Sequence, residues 1–139
     1  MIKYRPMKIE DYEGSYALWK NLEGLGLSSA DSFEAINVFL DRNPAYSHVA
    51  MDGDVIVGTV LCGHDGRRGY LHHLAVAKNH QKSGIGKNLF KLCFEKLAEV
   101  GIKKSHIFVV ADNENAIQFW KKNGWEHRDY LIIMSKQVE

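Results

Sequence analysis

Apolar and polar positions alternate briefly at the start of the chain, where Ile2 and Tyr4 lead into Pro6, and this predicts a short strand ending at the proline. From Glu10 to about Leu40 the spacing turns helical. Tyr12, Tyr16, Leu18, Trp19 and Leu22 recur at three- and four-residue steps, and beyond the Gly24-Leu25-Gly26 break so do Phe33, Ile36, Val38 and Leu40. Two helices joined by a glycine-bearing loop are expected, with Ser28, Ser29 and Asp31 as caps for the second. The pattern then becomes β-rich. Tyr46 to Met51 and Val55 to Cys62 flank Asp52-Gly53, a hairpin turn because both central residues tolerate positive φ. A second turn, Asp65 to Gly69, leads into a third run from Tyr70 to Ala77, completing an antiparallel meander. Ile85, Leu89, Leu92, Cys93, Leu97 and Val100 then line one helical face, and Gly101 sits where a left-handed C-terminal residue belongs. Ser105 to Val110 reads as a strand, and strand–helix–strand with this spacing is a crossover that makes its two strands parallel. A short helix from Asn113 to Asn123, stopped by Gly124, and a last strand from Tyr130 to Ser135 complete the chain. The expected fold class is α/β: one mixed central sheet with helices on both faces, in a single domain over residues 1–139.

Composition narrows the function classes. Hydrophobic residues are 45% and charged residues 25% of 139, which suits a globular chain and not a disordered or fibrous one. Lys+Arg 18 against Asp+Glu 17 leaves a formal charge of +1, so no bulk field draws nucleic acid or an acidic membrane. Cys62 and Cys93 are too few for a disulfide framework and lack metal-ligand spacing, as do the scattered histidines. The opening Met-Ile-Lys-Tyr-Arg-Pro is charged and interrupted, unlike a signal peptide, and no apolar run is long enough for a bilayer. A cytoplasmic protein with no metal, no membrane and no nucleic-acid partner is expected.

The segment Gln81-Lys82-Ser83-Gly84-Ile85-Gly86-Lys87 joins the third meander strand to the long amphipathic helix. Its glycines let backbone amides surround an anion, the helix start adds unpaired N–H groups and a positive dipole end, and Lys82 and Lys87 add charge. This is a cradle for phosphate or pyrophosphate. It is not a Walker A loop, because Gln81 stands where the first glycine belongs. Nor is it a dinucleotide fingerprint, since Leu89 occupies the third glycine position and the loop follows antiparallel strands.

Leu74-Ala75-Val76, four residues, then Gln81-x-x-Gly84-x-Gly86 and a helix resemble the acetyl-CoA-binding core of the GNAT N-acetyltransferase superfamily. The downstream block Asn113-x-x-Ala116-Ile117-x-Phe119-Trp120-Lys121-Lys122-x-Gly124-Trp125 is similar to that family's second motif, and Arg5-Pro6 followed by Glu10-Asp11 resembles its opening. The resemblance implies a GNAT-like fold and acetyl transfer from acetyl-CoA to an amine. It implies that the amides from Gln81 to Lys87 (Gln81, Lys82, Ser83, Gly84, Ile85, Gly86 and Lys87) hold the pyrophosphate. It further implies that backbone groups of Leu74, Ala75 and Val76 pair with the pantetheine arm, and that an amide near Val76 polarises the thioester carbonyl. Asn113 is expected to bond the cofactor or cap its helix, Phe119 to wall the channel, and Trp120 to wall it, donate to the sulfur or pack as a core aromatic on the Ala116-Phe119-Trp120 stripe.

An alkylamine of pKa near 10.4 is unprotonated in only about one molecule in a thousand at neutral pH, so a base must act before attack. Tyr70-Leu71-His72-His73-Leu74-Ala75-Val76 is similar to the His-x-His-x-Leu-Ala-Val strand of arylalkylamine N-acetyltransferases, with Tyr70 in place of the first histidine. That similarity implies His72 as the base, acting through water. In a regular strand His73 faces the opposite way, so the two histidines should not share a cleft. Where the family often carries a tyrosine to protonate the leaving thiolate, this chain has Trp120, whose indole is a donor but not an acid. Tyr130 is a candidate substitute.

The first two helices are expected to wall the acceptor site. Glu10, Asp11, Glu13, Glu23, Asp31, Glu34 and Asp41 there form either an acidic wall for a cationic amine or a solvated helix face. The resemblance implies a small-molecule or protein amine as the partner. The alternative to an enzyme is a non-catalytic acyl-CoA sensor or partner-binding module. The consecutive run Leu131-Ile132-Ile133-Met134 suits a buried central strand or a homodimer contact.

Overall fold

The structure is a computed structural model that describes all residues, 1–139. Five strands lie side by side in chain order: β1 (Ile2–Pro6), β2 (His48–Asp52), β3 (Val55–His64), β4 (Gly69–Val76) and β5 (Ser105–Ile107). The first four are antiparallel neighbours, and β4 pairs with β5 in parallel. Helices α1 (Tyr12–Lys20) and α2 (Phe33–Arg42) come between β1 and β2. Helix α3 (Ile85–Glu99) crosses from β4 to β5, and α4 (Glu114–Lys122) follows β5. The mixed sheet with one crossover is the expected architecture.

Strand alternation divides the apolar residues between two cores. Val49, Leu61 and Ala75 point to one face and pack with Leu18, Trp19 and Ile36 of α1 and α2. Ala50, Val60, Cys62 and Leu71 point to the other, against Ile85, Leu89, Phe90, Cys93 and Leu97 of α3 and Trp120 of α4. Helix ends follow their local chemistry. Gly101 and Gly124 take φ of +80° and +88° after α3 and α4, the left-handed stop that glycine accepts without strain.

Three local expectations are corrected. The cap of α2 is Ser32, whose hydroxyl accepts the Ala35 amide at 3.1 Å. Ser28, Ser29 and Asp31 instead form a separate 3₁₀ turn, in which the Asp31 carboxylate accepts the Ser28 amide at 2.9 Å. The N-terminal helical pattern likewise begins as a 3₁₀ turn, Ile9–Asp11, before α1. Third, β5 ends at Ile107 instead of Val110, and Tyr130 to Ser135 forms no strand. Ile132 and Met134 are 84% and 86% exposed. A β-prone run becomes a strand only through cross-strand partners, and none lies beside this one.

Leu89 is fully buried between α3 and the sheet, its Cδ1 3.1 Å from where a Cβ on Gly58 would stand. Leu89→Ala should lower unfolding free energy by roughly 2–5 kcal/mol in urea denaturation. A loss below about 1 kcal/mol would mean that α3 is not seated as described.

Candidate functional site

The site begins with a fault in β4. Thr59 pairs with Ala75 and Leu61 with His72, so Val60 alone faces both His73 and Leu74. This is a β-bulge, and His73 absorbs it with φ of +50°. A left-handed non-glycine residue costs roughly 1–3 kcal/mol unless its surroundings hold it. Here the Thr59 hydroxyl donates to the His73 carbonyl at 2.9 Å while accepting the Trp19 indole N–H at 2.8 Å. The His73 Nε2 meets Asp31 Oδ1 at 2.6 Å, and the His73 ring lies 4.8 Å from that of Trp19.

The extra residue breaks the two-residue alternation. His72, 6.2 Å from the Phe39 ring, and His73, against Trp19, both face α1 and α2. The expectation that His73 lies on the opposite face is therefore wrong, because it assumed an unbroken strand.

Pairing between β4 and β5 stops at Leu71 and Ile107, although β4 continues to Val76. The chains diverge and leave a groove of ≈ 1920 Å³. Ala77 N–H bonds Val57 across to β3 at 2.8 Å. By alternation, the Val76 amide points to the open side. The Val76 carbonyl on that side accepts the Gln81 side-chain amide at 2.9 Å.

The groove gathers most of the residues singled out in the sequence. His72, Leu74, Ala75 and Val76 line it from β4; Gln81, Lys82, Gly84, Ile85, Gly86 and Lys87 from the loop and first turn of α3; Asn113, Phe119 and Trp120 from α4. Ser83 is the exception: it is exposed and its hydroxyl donates to the His80 carbonyl. The loop turns through Lys82 and Gly84, with φ of +63° and +89°. The Asn88 amide bonds Gly84 O at 3.0 Å, so the amides of Ile85, Gly86 and Lys87 precede the intrahelical ladder and have no acceptor within it. A Cβ on Gly86 would stand 3.1 Å from Phe119 Cζ, so a side chain there would press on Phe119 where α3 and α4 meet.

Opposite, the α1–α2 loop closes one side. A Cβ on Gly24 would fall 2.4 Å from Asn113 Nδ2, while Asn113 Oδ1 caps α4 by accepting the Ala116 amide at 3.2 Å. Of the seven acidic residues expected to form a wall, only Glu23 and Asp31 line the groove, together with the cation Arg42. Asp11 is held by Arg5 at 2.7 and 2.8 Å, outside it. Trp120 is 6% exposed, packed 4.7 Å from Trp125 and 5.8 Å from Phe90, and so belongs to the core as much as to the groove. Tyr130 is not a substitute acid for this groove: it is 67% exposed, lies outside the lining, and its hydroxyl meets Arg128 Nε at 2.6 Å.

Burial holds His72 below the usual histidine pKa, with a smaller push from His73 and an opposing pull from Asp31. His48, buried and 2.9 Å from the Tyr46 carbonyl, is also held low, again chiefly by burial. The hydrogen bond with Cys62 and burial raise the Cys93 thiol, which makes it no nucleophile at neutral pH. No group of three or more His, Cys, Asp or Glu is placed to hold a metal, and no helix is long and apolar enough to cross a membrane.

Comparison with known proteins gives consistent matches. The sequence model of the "Acetyltransferase (GNAT) family" matches residues 12–125. "Acetyltransferase SG1711" of Sodalis glossinidius (strain morsitans) is 26% identical over 137 residues, 99% of this chain and 96% of that protein. The crystal structure of a PaiA N-acetyltransferase from Thermoplasma acidophilum in complex with coenzyme A superposes with a TM-score of 0.81 at 18% identity, covering 93% of this chain and 92% of that one. That of Ard1 from Thermoplasma volcanium gives 0.78 at 19% identity, covering 88% and 81%. These structural likenesses establish the fold.

Because His48 and His72 have folded pKa values below the unfolded value of about 6.5, the unfolded chain binds more protons below that pH. Their contribution to stability is whole above about pH 6.5 and is lost as pH falls through the folded values. Urea midpoints should decline between about pH 7 and 5, and less steeply in His48→Gln; equal slopes would contradict the assignment.

Proposed function

The chain belongs to the GNAT family of acetyltransferases, and on that premise we propose that it transfers an acetyl group from acetyl-CoA to a primary amine by direct attack. One observation carries the reading: the unpaired edge of β4 runs straight into the free amides that open α3. An extended chain of alternating donors and acceptors, such as pantetheine, satisfies that edge as an added strand would. A pyrophosphate at its end meets the amides of Ile85, Gly86 and Lys87, the positive end of α3 and the charges of Lys82 and Lys87. Gln81, its side chain engaged with Val76, offers its backbone, and Phe119 and Trp120 wall the channel. The Val76 amide, aimed at the groove, is the donor for the thioester carbonyl.

His72 is the proposed base. It is half-buried in the acceptor half of the groove, between the rings of Phe39 and Phe108 at 6.2 and 6.1 Å. Its depressed pKa keeps it neutral near pH 7, able to take the amine proton through water. The amine nitrogen then bonds the carbonyl carbon and loses its remaining excess proton to water, and the carbon–sulfur bond breaks to release the CoA thiolate. No acid is required for that release, since a thiol of pKa about 8.5 is a tolerable leaving group. Solvent protonates it, and Trp120 supplies at most an indole N–H. The acceptor, a small-molecule or protein amine, enters between the α1–α2 loop and α2, past Leu25 and Phe39.

His72→Gln should leave acetyl-CoA affinity unchanged in calorimetry, lower kcat by about 10²–10⁴ and abolish the acidic limb of the pH–rate profile. An unchanged limb and turnover would remove His72 from the chemistry. Gly86→Val, which drives a side chain toward Phe119, should weaken acetyl-CoA binding by about tenfold or more, roughly 1.4 kcal/mol. Free-thiol release over an amine panel is the direct test of the enzyme: acetyl-CoA binding without release on any amine would leave the sensor reading.

A further inference from the structure

His73 stands beside the proposed base yet has no part in the chemistry above, and it is held in a conformation that its residue type disfavours. Its carbonyl is anchored by Thr59 and, through Thr59, by Trp19 of α1. Its ring is anchored by Asp31 at 2.6 Å, with the two side chains 15% and 8% exposed. Asp31 is itself held by two further hydrogen bonds. Its second carboxylate oxygen accepts the Ser28 amide at 2.9 Å, and its carbonyl accepts the Tyr12 hydroxyl at 2.6 Å. One side-chain pair thus ties the 3₁₀ turn ahead of α2 to the bulge in β4, and both residues line the groove.

We propose that Asp31 and His73 form a positioning pair: the carboxylate locks His73 in the bulge, and the bulge turns His72 into the acceptor half of the groove beside that hydrogen-bonded pair. The proposal rests on the reading of His72 as base. The two partners act on His72 in opposite senses: the Asp31 carboxylate favours a proton on it, and His73 disfavours one. The remaining ionisable groups near the pair are fewer. Tyr12 of α1 donates to the Asp31 carbonyl, with Tyr16 stacked on its ring and Glu34 of α2 acting on it electrostatically, while Glu23 and Arg42 line the same groove. Tyr70 and His106, whose rings pair at 5.7 Å, lie one alternation away on β4 and β5.

The two halves of the pair therefore predict opposite effects, which a merely structural contact would not produce. Asp31→Asn keeps the shape and removes the negative charge. His73→Asn removes the ring, and asparagine tolerates the left-handed conformation the bulge needs. Proton NMR titration of the His72 imidazole in the free protein is the readout. Relative to the unmodified protein, the His72 midpoint should move down in Asp31→Asn and up in His73→Asn, the latter by about one pH unit. The double variant should fall between them, and it carries the comparison should a single variant fail to fold. Midpoints that stay put, or move the same way in both, overturn the proposal. The acidic limb of kcat/KM should follow the NMR midpoint; NMR shifts without any movement of that limb would uphold the pair and refute His72 as the base.

Discussion

The groove depends on one extra residue in β4. With His73 inserted opposite Val60, the strand bends, its last residues leave β5, and a parallel pairing that spans three residues gives way to an open edge. Had the pairing continued to Val76, the backbone donors and acceptors now facing the groove would have been consumed by β5. A left-handed histidine is an unfavourable way to make that opening. The strain persists because hydrogen bonds from β3 and from the turn before α2 converge on His73, and the β3 donor Thr59 is itself fixed by Trp19 of α1.

Around that opening the molecule separates two kinds of work. On the α3 and α4 side, main-chain nitrogens, two lysines and a close glycine contact suit a long anionic ligand that lies against backbone. On the α1 and α2 side, aromatic rings and two histidines line the groove, and on the function proposed above this is the half that receives the amine. Electrostatics favours this division. Of the acidic residues of the N-terminal third only Glu23 and Asp31 line the groove, and Asp31 is hydrogen-bonded to His73, while Arg42 lines it from α2. The acceptor half is therefore closer to neutral than its composition suggests.

The readings that held came from chemistry acting over short stretches. The two glycines of the loop, the amphipathic stripe behind them, the Asn113 cap and the stops at Gly101 and Gly124 all work through neighbours within a turn or two, so residue types alone identify them. The readings that failed needed distant partners. Ser32 displaced Ser28 as the cap of α2 because Asp31 holds Ser28 in a turn of its own. The run Leu131 to Met134 has strand-forming residues but no adjacent edge. Only two of the seven acidic residues reach the groove, because a helix shows one face to it.

The amino-acid order by itself determined the α/β class, the succession of strands and helices as far as α4, and the glycine-bearing turn between Gln81 and Lys87 that opens α3. Each of these follows from periodicity or from the backbone freedom of particular residues. Tertiary structure alone decided that His72 and His73 share a face, that Asp31 is spent on His73, and that β4 parts from β5 after Leu71. A bulge is a mismatch between two strands, and neither strand carries a local signal that its partner is one residue short.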